Sequence, residues 1–202
     1  MAASTLSLLA GASAHAQVTS EPSAAIFPDP AKFAHGLYTE GEMGAVAFFG
    51  KAGDDISPGV ALGARLGYDV TRWLAVQAHL LGSTHELRGD VLTDANGRPL
   101  PLGSQLLQTY QGTVEAKLTY RFVQWSIFAE GGLGAARMST NLLYALGLAH
   151  FRTGFTAGGG LGGDYHSLSR HFSVGARAGF FWLKHVTGSE DLIATAYLRY
   201  TF

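Results

Sequence analysis

The chain has 202 residues and contains no cysteine. This absence excludes disulfide bonds, thiol chemistry and a lipid anchor attached to cysteine after export. Charge is also scarce, since only 14% of the residues are charged and the formal net charge is -1. Without a basic cluster, the chain offers nucleic acid no electrostatic footprint, and no nucleic-acid partner is expected. Because 47% of the residues are hydrophobic, the composition does not suit an ordinary soluble surface.

Long hydrophobic runs are absent as well, because no stretch approaches the roughly 20 apolar residues that a membrane-spanning helix needs. Apolar residues instead alternate with polar ones, as expected where one face of a strand meets lipid and backbone groups pair between strands. Residues 192–202 alternate throughout, with Leu192 and Leu198 on one face and Thr195 and Arg199 on the other. The alternation predicts strands that cross a membrane.

Eight alternating segments are separated by connections of two length classes. Tight turns follow the second, fourth and sixth segments, whereas the other connections are longer, notably 86–108 and 137–150. Short turns at one end and long loops at the other are typical of outer-membrane barrels, in which the turns face the periplasm. We therefore predict an all-β fold, an eight-stranded antiparallel up-and-down transmembrane β-barrel with both termini in the periplasm. The predicted strands are 36–49, 59–70, 73–85, 109–122, 125–136, 151–165, 171–182 and 192–202.

The first residues read as the back half of a secretory signal peptide. An apolar run is followed by the small residues Ala14 and Ala16, which predicts cleavage before Gln17. The basic region that opens a complete signal is missing, so we expect the true start to lie upstream. Several prolines after Gln17 predict an irregular lead-in. The predicted organisation is a signal remnant (1–16), a periplasmic lead-in (17–35) and an outer-membrane barrel domain (36–202).

The inward positions of the predicted strands carry nearly balanced charge, with Asp164 among the acids. An eight-stranded barrel is just wide enough for its own side chains, so we expect these groups to pair and fill the lumen as a polar core. A gated ion or proton path is the alternative. A soluble lipocalin-type barrel would show the reverse pattern, with apolar residues inside. The predicted lumen network is Glu40, Glu42, Arg65, Asp69, Glu115, Lys117, Arg121, Glu130, Arg177 and Arg199.

The run 158–163 satisfies the dinucleotide fingerprint G-x-G-x-x-G, but it lies within an alternating strand rather than before a helix. No cofactor is therefore predicted. The inward glycines are interpreted as relieving crowding in the wall, with Phe128 of the neighbouring strand expected to cover Gly160.

The histidines do not predict a metal site. His79 and His85 share a face but lie about 20 Å apart along a strand, too far for one metal ion. His166 and His171 flank a turn and have no evident third ligand.

Catalysis has one set of candidates, because some eight-stranded barrels modify lipid A. Ser83, His85 and Glu86 supply a hydroxyl, a base and an acid, but the sequence shows them only as close neighbours. No catalytic residue is predicted.

The outer loops are the expected place for partner binding, because scaffold walls repeat whereas loops vary. In the second loop, Asn96 and Gly97 predict a hairpin. The third loop is too apolar to lie free in water, and loop packing or partner contact is expected there. Its candidate interaction residues are Leu142, Leu143, Tyr144, Leu146 and Leu148.

The alternation, the loop lengths and a terminal strand with Leu198, Tyr200 and Phe202 resemble the small eight-stranded outer-membrane barrels of the OmpA-transmembrane-domain and OmpX-like family, over residues 36–202. The resemblance implies contact with outer-membrane lipid and lipopolysaccharide, and recognition of the terminal strand by the barrel-assembly machinery. It also implies envelope protein partners at the outer loops. We expect a non-enzymatic structural or surface-interaction component, for example of a motility or adhesion complex. The alternatives are a small-solute or ion pore and a lipid A-modifying enzyme.

Overall fold

A computed structural model describes residues 36–50, 53–54, 56–88, 106–138, 153–167, 171–184 and 190–202. The described residues contain eight strands and no helix long and apolar enough to cross a membrane. The signal remnant, the lead-in, the predicted hairpin at Asn96 and the apolar loop residues from Leu142 to Leu148 lie outside the described residues. The strands are β1 (Leu37–Phe49), β2 (Gly59–Asp69), β3 (Leu74–Glu86), β4 (Leu106–Arg121), β5 (Trp125–Met138), β6 (Thr153–His166), β7 (Phe172–Leu183) and β8 (Glu190–Thr201).

The strands form a closed barrel in chain order, and each is antiparallel to the next. The ring closes where β1 pairs with β8, for example Tyr38 opposite Thr201 and Phe49 opposite Glu190. A closed ring leaves no strand edge with unpaired backbone groups, as a spanning sheet requires. The predicted fold class is confirmed.

Side chains alternate between the two faces of the wall along every strand. In β8 each second residue is buried, and the residues between them are exposed. The outer face is apolar, with rings that pack on one another, such as Trp125 on Tyr165 at 4.9 Å and Tyr200 on Phe202 at 5.0 Å. These rings form a girdle at the level where lipid meets water. The predicted inward and outward faces are confirmed.

Strand bounds agree with the predictions to within three residues. The largest difference is in β4, which begins at Leu106 rather than at 109. There β4 keeps pairing with β3 as far as Glu86, so the hairpin extends beyond the region where lipid selects strict alternation. We call the end with the three short connections, where Gly36 and Phe202 lie, the turn end, and the opposite end the loop end.

Candidate functional site

The barrel interior is the candidate site. All ten residues of the predicted lumen network point into it. Nine of them are at most 8% exposed, and the side chain of Arg121 is 12% exposed. All lie between mid-height and the turn end. The alternation of each strand carries them inward, while the closed ring brings residues from distant strands together.

Two arginines organise the centre of this ionic cluster. Arg65 contacts Glu115, lies 3.1 Å from Glu130 and places its Nε 3.5 Å from Glu42. Arg177 lies 3.2 Å from the same Glu130 oxygen and 3.6 Å from the same Glu42 oxygen. Because each guanidinium serves several carboxylates, no acid at the centre depends on a single partner. Arg177 also contacts Glu40.

His79 joins the cluster, which the sequence interpretation did not include. Its Nδ1 lies 3.0 Å from Glu115, and its Nε2 contacts Glu42. A neutral imidazole has one N–H, so two carboxylate contacts are both satisfied only by the doubly protonated ring. In that form His79 is a further cation among the acids. Its inward position on β3 was the available signal in the sequence.

Neutral side chains complete the hydrogen bonding. Gln77 donates through Nε2 to Glu115 at 2.7 Å and to Glu130 at 3.1 Å, and it accepts a bond from the Tyr38 hydroxyl at 2.8 Å. Thr195 donates to Glu42 at 3.1 Å. These donors occupy carboxylate lone pairs that the arginines leave free, which lowers the cost of burying the charge.

Aromatic rings separate the cations nearer the turn end. The Nζ of Lys117 lies 3.8 Å from the centre of the Phe128 ring, 3.6 Å from Asp164 and 3.7 Å from Glu40. The guanidinium of Arg177 lies 3.9 Å from the Tyr197 ring. Cation–π contacts of this kind stabilise desolvated cations without another acid.

Below this layer, the turn end is closed by two smaller polar groups. Arg199 binds Asp69 at 2.6 Å, with Arg121 at 3.9 Å from the same oxygen. On the other side of the mouth, Ser126 donates to Asp164 at 3.0 Å and lies 3.0 Å from His166.

Inward glycines stand opposite the large rings. Tyr38 pairs with Gly67, and a Cβ on that glycine would lie 2.3 Å from the ring. Phe128 pairs with Gly162 in the same way, at 2.3 Å. The expectation that Phe128 covers Gly160 was wrong, because the register places Gly160 opposite Glu130. In β6, Gly158 and Gly162 thus make room for the Phe181 and Phe128 rings, and the glycine run lies within a strand rather than in a nucleotide-binding loop.

The half of the lumen near the loop end contains few charged side chains. Its core is a cluster of Val46, Ala61, Leu81, Phe181 and Ile193, all 5% exposed or less. Farther toward the loop end, the fully buried side chains of Ile56 and Leu107 cover this cluster. The expected ion pairs therefore lie in the turn-end half, whereas the loop-end half combines this apolar cluster with buried polar residues such as Ser83, His85 and Asp191.

Ser83 and His85 touch, although the sequence suggested mere proximity along the chain. The Ser83 hydroxyl lies 2.7 Å from His85 Nε2, and His85 Nδ1 lies 3.1 Å from the Ser57 carbonyl oxygen. Glu86 points to the outer face and is exposed, so it does not orient the histidine. The hydroxyl is also bonded to Thr109 at 2.5 Å, and the pair is buried. This arrangement fixes the Ser57 segment to the wall.

Metal-binding side chains do not converge within the described part of the chain. No group of three or more histidine, aspartate or glutamate residues there has the geometry to hold a metal ion. His166 and His171 instead bind Ser126 and the Thr201 carbonyl oxygen, respectively.

Comparison with known proteins agrees with this architecture. A family model described as "Outer membrane protein beta-barrel domain" matches residues 4–199. A search of curated proteins found no match. The structure is similar to Neisserial surface protein A (14% identity, TM-score 0.59), with coverage of 84% of this chain and 99% of that one. It is also similar to OprG from Pseudomonas aeruginosa (11% identity, TM-score 0.52), with coverage of 84% and 97%. These likenesses show the fold, and the family match shows that the chain belongs to the outer-membrane β-barrel proteins.

Proposed function

We propose that this protein is a non-enzymatic structural or surface-interaction component of the bacterial outer membrane, with a lumen that does not conduct. The observation that carries the proposal is the filled interior. At mid-height, Arg65, Glu115 and Arg177 are each 5% exposed or less, and the apolar cluster closes the lumen a second time toward the loop end. A lumen closed by two different kinds of packing leaves no water path along its axis.

Orientation belongs to the same proposal. With both termini and the short turns in the periplasm, the long loops face the exterior, where partners are met. The strand wall is then the scaffold for the loops. Participation in a motility or adhesion complex remains a prediction.

Planar-bilayer recording of the purified, folded protein tests the closed lumen. We expect no current steps above those of the protein-free bilayer. Glu115→Gln serves as the diagnostic variant, because it changes the charge of the lumen without changing its volume. Reproducible steps in the wild type whose ion selectivity changes in Glu115→Gln would establish the pore alternative and overturn the proposal.

Cross-linking in intact cells tests the interaction role. The chain with residues 142–148 replaced by a short polar turn is compared with the wild type, and replacement of 94–99 is the matched control. We expect the first replacement to remove specific cross-linked partners and the second to leave them in place. Identical partners in all three strains would exclude the apolar loop from the proposal.

Catalysis is tested through Ser83 and His85, the hydroxyl and base that touch. Mass spectra of lipid A from deletion, wild-type and Ser83→Ala strains are expected to be identical. A modification that disappears in both the deletion and the Ser83→Ala strain would make the protein a lipid A-modifying enzyme.

A further inference from the structure

A shallow groove of about 570 Å³ lies on the outer wall across β2 to β5, near the loop end. The register places its outward residues in two rows that run around the barrel. The row nearer the loop end is Leu62, Gly82, Tyr110 and Arg137, and the next is Ala64, Leu80, Gly112 and Ala135.

The glycines of this groove differ from those of the lumen. A Cβ on Gly82 would come no closer than 3.7 Å to Tyr110, and one on Gly112 would lie 3.4 Å from Leu80. A Cβ therefore fits at both positions, whereas a Cβ on the inward Gly162 would overlap the Phe128 ring. Packing within the barrel therefore does not require glycine at Gly82. The depression that this glycine leaves in the outer wall is open to a ligand in the surrounding lipid.

Arg137 stands at the end of the groove. It is exposed on the outer face and is the direct cross-strand partner of Tyr110. Along the described strands, the other outward charged residues, Glu86 and Glu190, are exposed at strand ends. Glu86 lies four residues beyond Gly82, or about 13 Å along β3, so it does not neutralise Arg137 at close range.

A second groove supplies an internal contrast. It occupies about 630 Å³ near the turn end and is lined by Trp73, Leu118, Ile127, Ala129 and Leu161, among others, with no charged side chain in its lining. The two grooves have similar volume and apolar walls. A cation therefore distinguishes the one at the loop end.

We propose that the loop-end groove binds one phosphorylated, acylated glycolipid of the outer leaflet, such as lipid A. The acyl chain lies over Gly82 and Gly112 between Leu62, Leu80 and Tyr110, and the Arg137 guanidinium binds the phosphate at the interface. Because the surrounding lipid is as apolar as the groove, the acyl chain is held there by van der Waals packing. The arginine fork matches phosphate geometry and selects an anionic head group. The leaflet assignment rests on the proposed orientation, with the loops outside.

Native mass spectrometry of the detergent-purified protein tests the site, because binding there does not depend on orientation or conductance. The probes are lipid A with its phosphates and the same lipid after dephosphorylation. We expect the phosphorylated form to bind about 5-fold more tightly, the effect of about 1 kcal/mol from one interfacial arginine. In Arg137→Gln this preference disappears, while the dephosphorylated lipid binds as before.

Two filling variants locate the acyl chain. Gly82→Leu fills the loop-end groove, and we expect weaker binding of both lipids. Ala129→Leu fills the turn-end groove and serves as the matched control, with no expected change. Heat-modifiable gel migration verifies that each barrel is folded. An unchanged phosphate preference in Arg137→Gln, or an equal loss of binding in both filling variants, would overturn the proposal and leave the proposed function intact.

Discussion

The two halves of the lumen are filled by different kinds of side chain. Toward the turn end, the interior holds carboxylates, arginines and a histidine in mutual contact. Toward the loop end, the inward positions include Val46, Leu81, Phe181 and Ile193, which pack as an apolar cluster. Charge pairs depend on the presence of each partner, whereas an apolar cluster depends on filled volume. The halves should therefore respond differently to substitutions of the same size.

The largest difference is expected at Arg65. Arg65→Met keeps much of the side-chain length but removes the one cation that contacts Glu42, Glu115 and Glu130 together, and removal of one partner from a buried ion cluster costs about 3–5 kcal/mol. The free energy of unfolding, measured by urea titration in lipid vesicles, should fall by this amount.

Leu81→Met is the control in the apolar half. A volume-conserving hydrophobic swap costs less than about 1.5 kcal/mol. Equal losses for Arg65→Met and Leu81→Met would mean that the ionic cluster is no more sensitive than the apolar one.

The next effect is expected at the border between the halves. Thr195→Val keeps the shape of the side chain but removes the hydroxyl that donates to Glu42 at 3.1 Å. A hydrogen bond to a charged group contributes about 1.5–3 kcal/mol, so the free energy of unfolding should decrease within that range. If Thr195→Val unfolded at the same urea concentration as the wild type, water would have replaced the lost hydroxyl as the hydrogen-bond donor to Glu42.

A steric substitution tests the ring-and-glycine pairs of the ionic half. Gly162→Ala places a Cβ 2.3 Å from the Phe128 ring, and overpacking typically costs about 1–3 kcal/mol. Adding Phe128→Leu should restore part of the loss. Gly131→Ala, where the nearest atom would lie 3.6 Å away, is the matched control and should be nearly neutral. Additive losses in the double variant would refute the pairing.

The smallest effect is expected at Ile193, two residues before Thr195. Ile193→Val removes one methylene from the apolar cluster and should cost about 1 kcal/mol in the same urea titration. A loss larger than that of Thr195→Val would reverse the proposed order of sensitivity along β8.

Much of the fold could be predicted from the sequence because lipid enforces a strict alternation. Most inward charges, such as Glu115 and Arg177, were assigned to the interior from the alternation alone, whereas the buried Asp191 was missed because the predicted last strand began one residue later. The alternation does not reveal which inward side chains meet. Contacts such as that of Arg65 with Glu130 span several strands and depend on how the strands are staggered around the barrel. The alternation also does not give the height of each inward residue along the barrel axis. The separation of the lumen into an ionic and a less charged half was therefore missed. Aligning Val46, Leu81 and Ile193 by their distance from the turns would have shown it.

The Glu42 contact of His79 and the Ser57 contact of His85 were missed for a related reason. Their partners, Glu42 and the Ser57 carbonyl oxygen, lie on other segments of the chain. The local sequence does not give distances between side chains across a barrel. Those distances follow only from the pairing register of the strands.

The closure of β1 on β8 has a consequence for the order of biogenesis. Contacts such as Thr195 with Glu42 join residues separated by 153 positions, so the ring has no finished form until the last strand is in place. Loop-closure entropy for such distant partners makes assembly slow. A partly synthesised chain therefore has no closed barrel to insert. The polypeptide must reach the membrane before β1 has paired with β8.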